Sequence, residues 1–229
     1  QTGYPAYIDV DSWLDHNLLN MLTMNVDALR LSTYMHKRRG KKIEMGPVWD
    51  FDRAMESTDG RDNNPSSWYG TGDGTNYFTW GWWARIFEDP DFMLAYTDRW
   101  YMFRKQQFST ENIFATIDRL ADQIREAQAR HYQRWSDTPP RYGGFQGEID
   151  HMKGWFQARA NWVDAQFFRP PVFSHPGGQL DDPISLAITP HPGASGQIYY
   201  TTDGTDPRQP VTGAAVGTLY TAPVQIPHS

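Results

Sequence analysis

The sequence predicts an α+β fold: a mainly helical first region holding one small β-hairpin, followed by a small antiparallel β-domain. Three observations predict it. Apolar residues recur at helical spacing through much of residues 7–168. Two short strand signals flank a basic, glycine-containing turn near residues 32–45. From residue 169 the composition shifts to Pro, Gly, Thr and Val, with apolar and polar positions alternating. Domains of 1–168 and 169–229 follow, joined at Arg169-Pro170-Pro171, because consecutive prolines stop a helix and stiffen the chain.

The first helix carries Leu14, Leu18, Leu19 and Leu22 on one face, with Asp11 or Ser12 as its cap. Asn25-Val26-Asp27 follows it. Ser32–His36 predicts a strand, Arg39-Gly40-Lys41 a turn, and Lys42–Met45 a second strand. Gly46-Pro47 then sets the backbone before Val48-Trp49-Asp50-Phe51-Asp52. Trp82, Trp83, Ile86 and Phe87 predict a short helix, ended by Pro90. Phe92, Tyr96, Trp100 and Phe103 continue in helical steps. Thr110 is placed to cap a long helix near Glu111–Trp135, and a last helix spans about Gly147–Phe168. In the second region Leu186, Ile188, Ile198, Tyr200, Leu219 and Tyr220 mark strand positions, with Asp203-Gly204-Thr205-Asp206-Pro207 as a turn.

Composition narrows the function. The formal net charge is −6 and Lys37-Arg38-Arg39 with Lys41-Lys42 is the one cationic run, so a nucleic-acid partner is disfavoured. With no Cys, disulfides, thiolate metal sites and a Cys nucleophile are excluded. No apolar stretch approaches the roughly 18–20 residues of a membrane span. Ten Trp in a chain that is 15% aromatic argue for a packed core.

Asp27, Asp50 and Asp52 carry the chemical signal. Phosphoryl transfer needs one carboxylate to accept the acceptor hydroxyl's proton and others to hold a divalent cation against phosphates. Asp27 precedes the hairpin and Asp50 follows it, 23 residues later. Alone, an Asp-x-Asp pair also suits a helix cap or turn. The loop Asp59–Asp73, with Asp59, Asp62 and Asp73, suits a solvated loop better than a Ca²⁺ site, despite its oxygen-rich character, with a lid over the acceptor site as a further reading. Trp80, Trp82 and Trp83 suit core packing by their spacing, with a carbohydrate platform as the alternative. His16, His36, His131 and His151 show no metal-ligand spacing.

The phrases Asn25-Val26-Asp27-Ala28, Ser32-Thr33-Tyr34 and Gly46-Pro47-Val48-Trp49-Asp50-Phe51-Asp52 together resemble the signature of the spore-coat-protein CotH-type kinases, an atypical protein-kinase-like family. Trp83-Ala84-Arg85, Asp89-Pro90-Asp91-Phe92, Asp98-Arg99-Trp100 and Arg159 extend the resemblance through the helices. It implies the helical C-terminal lobe of a kinase-like fold over residues 1–168, with the N-lobe missing from this chain. It further implies Asp27 as catalytic base, Asp50 and Asp52 as metal ligands, and Asn25 as the residue that holds the Asp27 loop beside the cofactor. ATP with Mg²⁺ or another divalent cation would be used to phosphorylate Ser or Thr of a secreted or coat protein. Ser32 stands where protein kinases place an Asn for a second metal, which puts a second ion in doubt.

Ile198–Pro207 resembles the immunoglobulin-like module at the C-terminus of chitobiases and other secreted carbohydrate-active proteins. That resemblance implies a spacer or accessory module, lacking its last strand, and an extracellular or cell-surface location. Two further functions stay open. One is a non-catalytic pseudokinase or adhesive module binding protein or a cell-surface glycan. The other is a glycosidase, disfavoured because Asp50 and Asp52 lie too close in sequence to flank a sugar.

Overall fold

A computed structural model describes residues 3–57, 59–72 and 75–227, and its architecture is α+β. A single turn of 3₁₀ helix at Tyr4–Ala6 leads into α1, Val10–Thr23. The α1 cap is Asp9, whose Oδ1 accepts from the Ser12 amide at 2.9 Å. The sequence pointed to Asp11 or Ser12 instead. Both fall inside the first turn, where Ser12 spends its hydroxyl on the Asp9 carbonyl at 2.8 Å.

The hairpin pairs β1 (Met35–Lys37) with β2 (Ile43–Met45), Met35 opposite Met45 and Lys37 opposite Ile43. Its first strand starts later than Ser32 because Thr33 closes the preceding loop, its hydroxyl accepting from the Leu29 amide at 2.7 Å, while the Ser32 hydroxyl turns to Asp50 beyond the hairpin at 3.2 Å. Helices α2 (Trp82–Ile86), α3 (Pro90–Arg104), α4 (Thr110–Ile124), α5 (Ala127–Arg134) and α6 (Phe145–Gln166) follow. Asp89 caps α3 with Pro90 at its first position, and Ser109 rather than Thr110 caps α4. The one long helix expected over 111–135 is divided. The Arg125 amide turns back to the Asp122 carbonyl, and α5 beyond it buries no residue.

The core gathers where α1, α3 and α6 meet. Leu18, Met21, Tyr96, Trp100, Ala160 and Val163 are fully buried there. Burial of each large side chain contributes about 1.5–3 kcal/mol. Trp83 joins this core, but Trp80 and Trp82 are 44% and 63% exposed, against the packing role their spacing predicts. Arg159 of α6 is buried, with no carboxylate partner among the described residues. Its guanidinium donates instead to the carbonyls of Met21 (2.7 Å), Pro65 (2.9 Å) and Ser67. One side chain thus fastens the end of α1 and the loop before α2 to the last helix.

The second region holds β3 (Val172–Phe173), β4 (Ile184–Leu186), β5 (Ile188–Thr189), β6 (Tyr199–Tyr200), β7 (Thr218–Leu219) and β8 (Val224–Ile226). These pair antiparallel as β3–β5, β4–β8 and β6–β7. Asp203 makes the turn: its Oδ1 accepts from the Thr205 amide at 3.0 Å while Gly204 adopts a left-handed φ of 78°. Among the described residues, no helix is long and apolar enough to cross a membrane.

Candidate phosphate-transfer site

Two loops meet at the open end of the hairpin. The first leaves α1 through Met24, at a left-handed φ of 47°, and carries Asn25 and Asp27. It is fixed from beneath. The Thr75 hydroxyl lies 2.9 Å from the Val26 carbonyl and 2.7 Å from that of Ala28. The Tyr77 hydroxyl donates to the Asn25 carbonyl at 3.0 Å, and Asn17 and Tyr96 extend this buried network. Strain concentrates here. Five of the six described non-glycine residues with left-handed φ, namely Met24, Leu29, Asp50, Met55 and Glu56, lie between residues 24 and 56. Backbone strain of this kind persists where surrounding structure holds it, and it collects at functional sites.

Asn25 is fully buried and joins the two loops. Its Nδ2 donates to the Asp50 carbonyl at 3.3 Å and to Asn20 Oδ1 at 3.2 Å. Its Oδ1 accepts from the Asp27 amide at 3.4 Å. The amide orientation follows from these partners, since a backbone N–H needs the oxygen and a carbonyl needs the nitrogen.

Asp50 follows the hairpin past a cis Gly46–Pro47 peptide and sits at a φ of 64°. Its carboxylate is exposed, and its Oδ2 accepts from the Ser32 hydroxyl at 3.2 Å. Ser32, at the position where kinases place a metal-binding Asn, therefore serves Asp50 directly. Asp52 is also exposed, and its carbonyl accepts from Ser57.

Asp27 is held by three guanidinium groups that the motif alone did not reveal. Arg30 and Arg61 reach its Oδ1 at 3.3 and 3.2 Å, and Arg53 reaches Oδ2 at 3.4 Å. Arg61 also grips Asp59 through its fork, Nη2 to Oδ2 at 2.7 Å, and this keeps the Asp59 carboxyl below its usual range. Arg53 bridges Asp27 to Asp59 at 3.5 Å. The signal for these arginines was present as Arg53 and Arg61 beside the acidic loop. Only folding brings them across 26 and 34 residues to Asp27.

The acidic loop takes shape around these pairs. Asp59 goes to arginine. Asp62 is buried, its Oδ2 accepts from the Glu56 amide at 2.7 Å, and burial raises its carboxyl above the usual range. Asp73 lies outside the described residues. Glu56 in turn contacts His151 Nε2 and the Tyr142 hydroxyl, each at 3.0 Å, so the segment after Asp52 is pinned to α6.

Asp50 and Asp52 are the carboxylates that would hold a nucleotide-bound divalent cation. Mg²⁺ commonly takes one or two protein carboxylates and completes its shell with phosphate oxygens and water. Asp50 and Asp52 are two exposed carboxylates, and no three His, Asp or Glu side chains among the described residues form an all-protein cage.

The family model described as CotH kinase protein matches residues 1–163. The chain belongs to the CotH kinase family. A second model, described as Fn3 associated, matches residues 186–229. No curated protein and no solved structure matches the chain significantly. The chain is thus a CotH kinase-like domain followed by an Fn3-associated module, in agreement with both sequence resemblances. Within the CotH domain, the two loops joined by Asn25 are the ones that carry the family phrases.

Proposed function

We propose that this chain carries the phosphate-transfer site of a secreted or cell-surface CotH-type protein kinase that uses ATP and a divalent cation to modify Ser or Thr of an extracellular or coat protein. One observation carries the proposal: the Asn25 amide links the Asp27 amide and the Asp50 carbonyl, so that the base and the metal ligand move as one unit.

Each residue has a role its surroundings allow. Asp27 Oδ2 takes the proton of the acceptor hydroxyl. Of the three arginines on Asp27, Arg53 is the most exposed and holds Oδ2 at the longest distance, so it yields to the acceptor. Once displaced, its guanidinium stays beside the departing charge and offsets it. Asp50 and Asp52 would hold the cation, which supplies charge neutralisation at the phosphates. Ser32 orients the Asp50 carboxylate by donating to Oδ2.

The test is ATP-dependent phosphate incorporation by the full-length protein. Asp50→Ala is expected to abolish it and to weaken Mg²⁺-dependent nucleotide binding; since Asp50 is exposed, the variant's stability cost is mainly that of placing Ala at a left-handed φ of 64°. Retained incorporation in that variant removes Asp50 from the mechanism.

A second function has one observation in its favour. Trp80 and Trp82 present exposed indole surface next to the hairpin, as a glycan- or protein-binding module would. Absence of nucleotide binding by the full-length protein, together with glycan binding lost in Trp82→Ala, favours that alternative.

A further inference from the structure

The concavity where the two regions meet is cationic, in a protein whose formal net charge is −6. Its volume is about 580 Å³, and none of its lining residues belongs to the Asp27 or Asp50 loops. Its walls carry Arg104, Lys105 and Arg169 against a single carboxylate, Asp164. Asp164 is already committed. Arg104 Nε lies 3.2 Å from both of its oxygens and the Trp100 indole donates to Oδ1 at 2.9 Å.

Among the described residues, no carboxylate forms an ion pair with Lys105 or Arg169. The side-chain hydrogen bonds of Arg169 run to the Asp164 carbonyl at 3.3 Å and the His191 ring at 3.1 Å. Neither partner is a carboxylate. The His191 contact also fixes a tautomer. A guanidinium can only donate, so Nε2 accepts, and Nδ1 carries the proton to the Pro192 carbonyl at 3.0 Å. His191 therefore holds Arg169 in place and does not compete with it for an anion.

Cations commonly sit at helix C-termini, and Lys105 does cap α3. Helix capping does not account for the rest of the wall. Pro170, Pro171, Phe173 and Pro176 line the same concavity, and Phe173 is 52% exposed. Flat, rigid apolar surface beside these two cations suits a ligand with a charged head and a ring-like body.

We propose that this cleft binds a small organic oxyanion, a phosphate or carboxylate group on an apolar ring, with Lys105 and Arg169 taking the charge and the proline- and Phe173-lined wall taking the body. The proposal is independent of phosphate transfer.

Calorimetric titration of the 229-residue protein with phenyl phosphate, benzoate and inorganic phosphate tests it. Phenyl phosphate or benzoate is expected to bind saturably and at least about fivefold more tightly than inorganic phosphate, since the ring adds apolar burial. The double variant Lys105→Gln, Arg169→Gln should weaken that binding at least about tenfold, as loss of charge-assisted donors does. Both side chains lie at the surface, and coincident thermal unfolding verifies that the variant is folded. Asp50→Ala should leave the titration unchanged. Which ring compound binds better identifies the head group. Equal affinity in the double variant overturns the proposal, as does loss of binding in Asp50→Ala instead. No saturable binding of either ring compound below ~10 mM, an affinity too weak for a specific site, also overturns it.

Discussion

The Asn25 side chain donates to the Asp50 main-chain carbonyl at 3.3 Å, across 25 residues of sequence. That bond connects the end of α1 to the segment following the hairpin, so changes in α1 are transmitted to both aspartate loops.

Replacing Asn25 with Ala should therefore do two things. It strips partners from the buried Asn20 side-chain oxygen and from the part-buried Asp27 N–H and Asp50 carbonyl, which costs about 1–3 kcal/mol of stability. It should also lower phosphate transfer more than stability alone explains, because Asp27 and Asp50 lose their common tether. Urea unfolding and a single-turnover assay on the same preparation separate the two effects.

His16 gives the domain a pH dependence. Burial in α1 lowers its imidazole from 6.5 to about 4. Its Nδ1 lies 3.3 Å from the Asn20 amide nitrogen, a donor, so Nδ1 accepts in the neutral form. The unfolded chain takes up the proton below about pH 6.5 and the folded chain only near pH 4, so unfolding binds protons and stability falls as pH drops through that window. The loss levels off below pH 4, at about 3 kcal/mol. Asp62 acts in the opposite sense, because its raised carboxyl keeps its proton in the folded state. A difference curve between wild type and His16→Gln isolates the histidine contribution. The variant should show a flatter decline between pH 6.5 and 4.

Arg159 is expected to be the costliest single position in the helical core. Arg159→Leu keeps the bulk but leaves the carbonyls of Met21, Pro65 and Ser67 unmatched, a loss of about 3–5 kcal/mol in denaturant unfolding. Arg159→Lys should recover only part of this, since a single ammonium cannot span both sides of the fork.

Gly147, in the first turn of α6, has no room for a side chain. A β-carbon there collides with the Tyr142 carbonyl, which is backbone and cannot swing aside. Gly147→Ala should destabilise the domain by about 1–3 kcal/mol. It should also disturb the stacking of Tyr142 on His151, whose ring centroids are 3.6 Å apart. The ring-current shift of the His151 ring protons in NMR and a melting curve report both.

The elements with strong helical periodicity were legible in the sequence, as were the hairpin and the Asp203 turn. The aspartate phrases were legible too, because their residues are close in sequence. What escaped depended on distant contacts. Asp9 rather than Asp11 caps α1 because its backbone is extended, and no residue count reveals a dihedral. The division between α4 and α5 falls where helical propensity continues but apolar burial stops. Trp82 has helical spacing yet faces outward, because Trp13 and Trp83 fill the space beneath it. Arg53 and Arg61 reach Asp27 from a loop whose path depends on Asp62 burial and the Glu56–His151 contact.

The most direct test compares phosphate transfer by full-length wild type, Asp27→Asn, Asp50→Asn and the double variant at saturating Mg²⁺–ATP. If the two aspartates serve one site, each single change lowers the rate by a factor of about 10²–10⁴, and the double change is no worse than the poorer single. Singles that keep near-wild-type rates, or losses that multiply in the double variant, contradict a shared site.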